Sequence, residues 1–445
     1  MQQRSQRRMW AACGFGALAA LLTLAGDASA QTAEDGVTFS RDVAVILQEN
    51  CQVCHQPGSI GPMSLMSYDE VRPWAPMIKE KVVTREMPPY HLEPDVGIQE
   101  IQQDWRLSEE EIQTIAAWVD AGAPEGNPAD LPAPVEWPDY REWRFAETLG
   151  QPDLVIKTPE FNVPAAGGDL WFKPIIPSGL TEDRWIRAIE IKPSFPAGRS
   201  VVHHAVPGMR ALNDDGTFES IGGLSEFAMG KVGEMMPADA GRKIPAGAFV
   251  SWDVHYYPQG TEVVGDQVEL GLWFHPVGYE PPFEQELENL GLQGDIAIAP
   301  HGTAMTQGFH RWDHPVRIDQ FQAHGHLRLV RMQMEAIYPD GEREILSNAR
   351  FRATWHHSYI YEPDAAPILP TGTVLVLTGW YDNTENNPLN PDPNVWAGRG
   401  ARTTDEMSHA WIPITHLDEA GYERLIAERE ARKAAAENAG DDGGD

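Results

Sequence analysis

Short apolar runs dominate the chain after about residue 150, and they constrain the fold more than any other feature. These runs are rich in Val, Ile, Trp and Phe, and Gly, Pro, Asn or Asp separates each one from the next: 185–191, 249–257, 267–274, 317–322, 327–337 and 373–380. Such runs are typical of an antiparallel β-sandwich or jelly roll. Since one sandwich takes about 100 residues, we expect two in tandem, over residues 151–282 and 283–417.

The first 150 residues have a different pattern. Residues 31–128 read as helices joined by loops, and Ser108 with Glu111 forms a capping box at the start of the last helix. We expect a small all-α domain here, followed by a Pro-rich linker or wrapping segment at residues 129–150. Residues 418–445 predict a terminal helix and an acidic tail.

Residues 1–30 are typical of a secretory signal peptide. Arg4, Arg7 and Arg8 precede an apolar stretch that is short and interrupted by glycine, whereas spanning a bilayer takes ~20 apolar residues. Small residues at 28–30 form a cleavage site. We therefore expect a periplasmic or secreted protein without stable membrane insertion.

Charge and cysteine content narrow the choice of partners. The net charge is −32, and because the leader contributes +2, the mature chain would carry −34. Such a chain repels nucleic acid. Beyond the leader only Cys51 and Cys54 remain. If both bind a cofactor, no intrachain disulfide is possible and stability must come from core packing.

Residues 51–55 read Cys-Gln-Val-Cys-His. Thiols at this spacing can each form a thioether with a haem vinyl group, and His55 then lies where it can ligate the iron. A zinc site is the alternative, but it needs four ligands, and the third cysteine, Cys13, lies in the leader. The motif predicts one covalent haem c, held by Cys51, Cys54 and His55.

A methionine sulfur is the usual sixth ligand of such an iron. The candidates are Met63, Met66, Met77 and Met87. Met87 is preferred because the two prolines after it hold the backbone extended and aim the side chain. His91 is the alternative, and an open iron site is the third possibility.

Histidines and one methionine recur in four strand-like contexts, at His203, His204, His255, His324, His326 and Met407. Histidines two apart on a strand, such as His324 and His326, point to one face and can chelate one ion. The adjacent pair His203-His204 can do so only if the backbone twists or bulges. Imidazole suits Cu, Zn and Ni, and a thioether adds a preference for Cu(I).

The order of these motifs, HH, then VHY, then HxH, then DEM, resembles the copper type II, ascorbate-dependent monooxygenases, the family of peptidylglycine alpha-hydroxylating monooxygenase and dopamine beta-monooxygenase. The resemblance covers about residues 150–415 and implies two β-sandwich domains with one copper each. It implies an electron-transfer copper and an oxygen-activating, catalytic copper, whose ligands are His203, His204 and His255 for the first and His324, His326 and Met407 for the second. This chain departs from the animal enzymes in two ways. It can have no disulfides, and it carries its own haem motif, whereas the animal enzymes take electrons from ascorbate.

The leading domain resembles the monohaem modules found beside such copper domains in bacterial exported proteins. Together the resemblances imply a monooxygenase that hydroxylates a C–H bond with O₂, in which the haem relays electrons from a periplasmic donor to two coppers. The resemblances do not identify the substrate, which is a small molecule or a peptide. The alternative is a periplasmic electron-transfer or copper-binding protein without oxygenase activity. A nitrite-type reductase is disfavoured because its type 1 copper needs a cysteine.

The remaining histidines carry weaker expectations. His356 and His357 lie in an aromatic-rich stretch, where packing is favoured and a substrate-pocket role is the alternative. His409, two residues after Met407, is a candidate supporting residue or alternative ligand. No role is assigned to His301, His310 and His314.

Overall fold

The computed structural model describes residues 36–441, apart from positions 58, 60, 138, 140, 195, 229, 230, 232 and 293. The predicted leader and the last four residues of the acidic tail lie outside this range. Within it, no helix combines the length and the apolar character needed to cross a bilayer.

Strands make up most of the described chain, and helices are few. The α-helices are α1 (Ala44–Asn50), α2 (Tyr68–Val71), α3 (Ala75–Val83), α4 (Glu109–Asp120), α5 (Ala146–Leu149), α6 (Ala197–Val201) and α7 (Glu419–Asp441). A π-helical turn lies at Phe39–Val43, and 3₁₀ turns lie at Arg72–Trp74 and Pro128–Asp130. The strands are β1 (Leu92–Gly97), β2 (Leu154–Lys157), β3 (Phe161–Val163), β4 (Leu170–Phe172), β5 (Ile175–Pro177), β6 (Arg184–Pro193), β7 (Val202–Leu212), β8 (Phe218–Gly223), β9 (Phe227–Ala228), β10 (Gly233–Met235), β11 (Ala240–Ile244), β12 (Phe249–Tyr256), β13 (Val263–Asp266), β14 (Val268–Phe274), β15 (Phe283–Gly291), β16 (Ala297–Ile298), β17 (Thr303–Arg311), β18 (Val316–Ile318), β19 (Gln320–His324), β20 (Leu329–Ile337), β21 (Arg343–Arg350), β22 (Tyr359–Ile360), β23 (Ile368–Leu369), β24 (Val374–Asp382), β25 (Ala397–Gly398) and β26 (His409–His416).

The helical segment, residues 36–128, packs around its own apolar core. The capping box at the start of α4 is present, with Ser108 and Glu111 each accepting a hydrogen bond from the other's backbone N–H. Apolar residues at helical spacing on α4, among them Ile112 and Ile115, then face this core together with Trp118. Trp118 is fully buried, and its indole N–H donates to the Pro124 carbonyl at 3.0 Å.

The expectation that this segment is all-α is wrong at β1. This strand pairs antiparallel with β21, with Leu92 opposite Ala349. An ion pair of 2.6 Å between Glu93 and Arg350 reinforces the pairing. The partner strand lies some 250 residues further on, so no local pattern in the sequence signals it. As a result, the helical segment is joined through β1 to the edge of a sheet formed by β21, β20, β24 and β17.

The β-rich part has two separate hydrophobic cores. One is built from residues between 156 and 274, in the first half of this part (residues 151–282). The other is built mainly from residues between 290 and 414, in the second half (residues 283–417), and it also takes in Tyr90, Leu92 and Ile101 from the helical segment. Strand β15 pairs with β26 of the second half and with β8 and β11 of the first half. The two halves are therefore hydrogen-bonded to each other along β15.

Within the predicted linker, residues 143–149 pack on the first half. Trp143 is buried edge-on against Trp273, with ring centroids 6.0 Å apart. The backbone N–H of Arg144 donates to buried Glu190 at 3.0 Å. Helix α7 occupies the position predicted for the terminal helix.

Candidate metal centre

The CxxCH motif forms a tight turn directly after α1. The backbone N–H groups of Cys54 and His55 both donate to the Cys51 carbonyl, at 3.1 and 3.0 Å. The His55 Nδ1 lies 3.1 Å from the Met63 carbonyl oxygen. Because a carbonyl only accepts, Nδ1 carries the proton and Nε2 keeps a lone pair. Burial lowers the pKa of His55, which favours the neutral imidazole that ligates metals.

Both thiols of the motif are held in the protonated form near neutral pH. Burial raises the pKa of Cys51 to about 12, and burial raises the pKa of Cys54 against the opposing charge of Arg199. Both are free cysteines. The turn and the orientation of His55 therefore fit a c-type haem.

Met87 and His91 line one cavity of about 320 Å³ between the helical segment and β21. The His91 Nε2 is buried without a hydrogen-bond partner among the described residues, and burial lowers the pKa of His91 to about 4. Met66 and Met77 are exposed, and Met63 packs against the helical core. No described contact brings Met87 or His91 to His55, so the sixth ligand stays a prediction.

A β-bulge on β7 brings the first histidine set together. On the neighbouring strand β12, His255 pairs with His204 while the next residue, Tyr256, pairs with Val202. His203 is therefore the extra residue of a bulge, which is the distortion that an adjacent pair needs to serve one metal. The ligating atoms of His203, His204 and His255 all lie within 4.8 Å of one another.

The surroundings favour neutral rings at His203 and His204 and restrain the ring of His255. Burial, aided by His255, lowers the pKa of His203 to about 4, and burial holds the pKa of His204 well below its ordinary value. The Nδ1 atoms of His203 and His204 are buried without a hydrogen-bond partner in the described chain. His255 stacks on Trp171 at 4.6 Å, and its Nε2 lies 3.2 Å from Asp169. Three imidazoles gathered in this way, two of them with unpaired Nδ1 atoms, fit a copper ion.

The second predicted set is only partly assembled. Strand β19 ends at His324, so His326 lies in the following turn and does not share a regular strand face as expected. The two ring centroids are 5.7 Å apart. The Asp405 carbonyl accepts a hydrogen bond from His326 Nδ1 at 3.1 Å, which leaves Nε2 free to ligate. The Met407 carbonyl accepts a hydrogen bond from Tyr381 at 2.6 Å. No described contact joins the Met407 sulfur to either histidine.

Two residues outside the predicted ligand sets complete a different group around His324. The ligating atoms of Glu226, His324 and His356 all lie within 4.8 Å of one another, and all three residues are buried. His356 also lies 6.0 Å from His203 between ring centroids. The two predicted sets are therefore neighbours in one histidine centre between the halves. His409 belongs to it too, because its ring stacks on His324 at 4.5 Å.

Besides the HxH motif at His324, the only sequence feature that points to this group is the His356-His357 doublet, for which the sequence favours packing. His357 does pack, with its ring 4.7 Å from Tyr90 and 5.4 Å from Trp105 of the helical segment. It also lines a cavity of about 720 Å³, a volume that suits a small ligand. No sequence motif identifies Glu226 as a metal ligand, because a single glutamate in a loop matches no ligand spacing.

The other histidines lie away from this centre. His301 is exposed beside Glu385, and His314 hydrogen-bonds His416 at 2.8 Å. The His310 Nε2 contacts the backbone of Gly291, with 2.9 Å to its nitrogen.

No family model matches the chain, and no curated protein matches it. Among solved structures it is similar to a protein assigned as an alpha-L-fucosidase from Bacteroides ovatus, with 10% identity over 69% of this chain and a TM-score of 0.17. It is also similar to the PBSX exported protein XepA, with 8% identity over 51% of this chain and 86% of that chain, and a TM-score of 0.16. The infectious bursal disease virus VP2 subviral particle has 9% identity over 62% of this chain and 74% of that chain, with a TM-score of 0.18. The chain spans 43% of the Bacteroides protein. With TM-scores this low, none of these similarities bears on fold or function.

Proposed function

We propose that this chain is an exported haem- and copper-dependent monooxygenase, in which a c-type haem passes electrons to a two-copper centre that hydroxylates a C–H bond with O₂. The observation that carries the proposal is the meeting of the two predicted histidine sets in one buried centre between the β-rich halves. A structural role alone would not require so many neutral imidazoles with unpaired nitrogens in one place.

The chain's own residues would bind and orient the metals. His203, His204 and His255 would hold one copper, with Trp171 and Asp169 restraining the ring of His255. His324 would hold the other copper, with His326 and Met407 as the further ligands that the resemblance implies. Bound copper would supply one-electron chemistry with O₂, and the haem would supply one-electron transfer.

Contacts between the helical segment and the histidine centre support the electron relay. Tyr90, three residues after Met87, packs edge-on against His357, and His357 adjoins His356 of the centre. On the other side, the charge of Arg199 reaches Cys54, and Arg199 lies four residues before His203. Both observations place parts of the helical segment beside segments that carry the histidine centre.

Metal content and O₂ uptake test the proposal together. We expect one iron and two coppers per chain after haem maturation and copper loading, with type 2 copper EPR signals that disappear when a reduced donor is added. Met407→Ala should abolish substrate-dependent O₂ uptake and leave the haem absorption unchanged. Met305→Ala is the matched control, because Met305 is 57% exposed on β17.

Three outcomes would change the assignment. Full activity in Met407→Ala would show that Met407 is not a ligand of the oxygen-activating copper. Both metals bound without O₂ uptake across a substrate screen would favour the electron-transfer or copper-binding alternative. A protein without copper would reject the monooxygenase and the copper-binding alternative, and would leave electron transfer through the haem.

A further inference from the structure

We propose that Glu226 and His356 join His324 as ligands of a Cu(II) ion that ties the two β-rich halves together. The inference rests on the proposed function for the presence of a metal at His324. It goes further by giving that metal two ligands that the resemblance does not include.

The three residues come from separate parts of the chain. Glu226 lies in the first half, in the loop between β8 and β9. His324 ends β19 in the second half, and His356 lies in the loop between β21 and β22. Because their ligating atoms lie within 4.8 Å of one another, one ion at this position would be coordinated from both halves.

The two imidazoles already have the separation that a shared metal needs. The His324 Nδ1 and the His356 Nδ1 lie 3.1 Å apart. Two nitrogens bound to one ion at bond lengths of about 2.0 Å are themselves roughly 3 Å apart. Both rings are buried.

Glu226 brings an unsatisfied oxygen to the same place. Its side chain is 1% exposed, and its Oε2 accepts a hydrogen bond from Gln322. Its Oε1 is buried without a hydrogen-bond partner among the described residues. The ammonium of Lys231 lies 2.7 Å from Glu234, and its charge also acts on Glu226 without forming a hydrogen bond to it. A buried carboxylate oxygen without a partner costs stability unless a cation compensates it.

The donor set selects the oxidation state. Two imidazoles and a carboxylate give nitrogen and oxygen donors, which suit Cu(II), whereas thioether sulfur such as that of Met407 prefers Cu(I). The site at Glu226, His324 and His356 is therefore a site for the oxidised ion.

Cu(II) titration of the full-length, haem-loaded protein tests this ligand set. We expect wild type to bind two Cu(II) ions, and Glu226→Gln and His356→Ala each to weaken one of them by about 100-fold or more. Glu190→Gln is the matched control, since Glu190 is a buried carboxylate that accepts a hydrogen bond from the Arg144 backbone N–H outside the centre.

Hydrogen exchange on wild type gives a second readout that needs no variant. Adding Cu(II) should slow amide exchange in both residues 224–228 and residues 353–358, because the ion would link the two loops. Slowing confined to the second half would overturn the inference, as would wild-type Cu(II) affinities in both Glu226→Gln and His356→Ala. A wild-type protein that binds no copper would instead reject the proposed function itself.

Discussion

At the level of single residues, the lack of a side chain at Gly61 allows the CxxCH turn to adopt its geometry. A β-carbon on Gly61 would lie 2.6 Å from the His55 Nδ1 and 2.7 Å from the Cys54 carbonyl oxygen. The backbone N–H of Gly61 donates to that same carbonyl at 2.8 Å. The loop therefore closes against the imidazole only because residue 61 has no side chain.

Gly61→Ala should displace His55 from its hydrogen bond with the Met63 carbonyl. Overpacking of this kind costs about 1–3 kcal/mol, and the tilted imidazole should give a lower yield of attached haem and a shifted Soret band. Absorption spectra and the haem-to-protein ratio measure both effects. Gly168→Ala is the control, because a β-carbon there meets nothing within 4 Å. Identical spectra for the two variants would contradict the positioning role of Gly61.

At the element scale, β10 carries a buried charge cluster that secures it to its neighbours. Glu234 accepts a hydrogen bond from Ser225 at 2.6 Å and lies 2.7 Å from the Lys231 ammonium and 3.2 Å from the Arg242 guanidinium. Burial by itself would raise the pKa of Glu234, but the charges of Lys231 and Arg242 outweigh it and lower that pKa to about 2. The cluster connects the loop after β9 to β10 and β11.

This lowered pKa predicts a pH dependence of stability. Because the carboxyl is more acidic in the folded state, its contribution is complete above the unfolded pKa of about 4.3 and is lost as the pH falls towards 2. At pH 7, Glu234→Gln should lower the free energy of unfolding by about 3–5 kcal/mol, since it leaves buried cations unpaired. Denaturant unfolding at several pH values should show the gap between wild type and variant closing below pH 4.3. A gap that stays constant down to pH 2 would refute this account, and exposed Glu219→Gln should show no gap at any pH.

At the scale of the whole molecule, β1 makes the helical segment part of the second half's core. Leu92 is 3% exposed and belongs to the same apolar cluster as Met334 and Leu377, while Val82 belongs to the separate helical core. Contacts between Tyr90 and His357 lie beside the same junction. The helical segment is thus held in a defined position relative to the histidine centre.

Leu92→Ala should therefore loosen the junction as well as the strand. Removing a buried leucine side chain costs about 2–5 kcal/mol, and amide exchange should accelerate in β21 as well as in β1. Val82→Ala is the matched control, which should accelerate exchange in α3 and α4 and leave β21 protected. Equal protection of β21 in both variants would mean that the segment is not coupled to the sheet.

Local patterns in the sequence were enough to predict much of what the structure shows. The capping box of α4, the strand-rich part after residue 150 and the need for a bulge at His203-His204 each depend on residues close together in the chain. The short-range geometry of the backbone sets those features. The CxxCH motif belongs with them, because the turn that orients His55 lies within fifteen residues.

Only the tertiary structure decided which distant residues meet. The pairing of β1 with β21 and the meeting of Glu226 with His324 and His356 join positions some 30 to 250 residues apart, and each depends on how whole sheets pack. A single buried glutamate has no periodicity and no spacing to reveal it. The local chemistry of each candidate ligand follows from its residue type and its neighbours in the chain, whereas the packing of the two halves brings particular ligands into one centre.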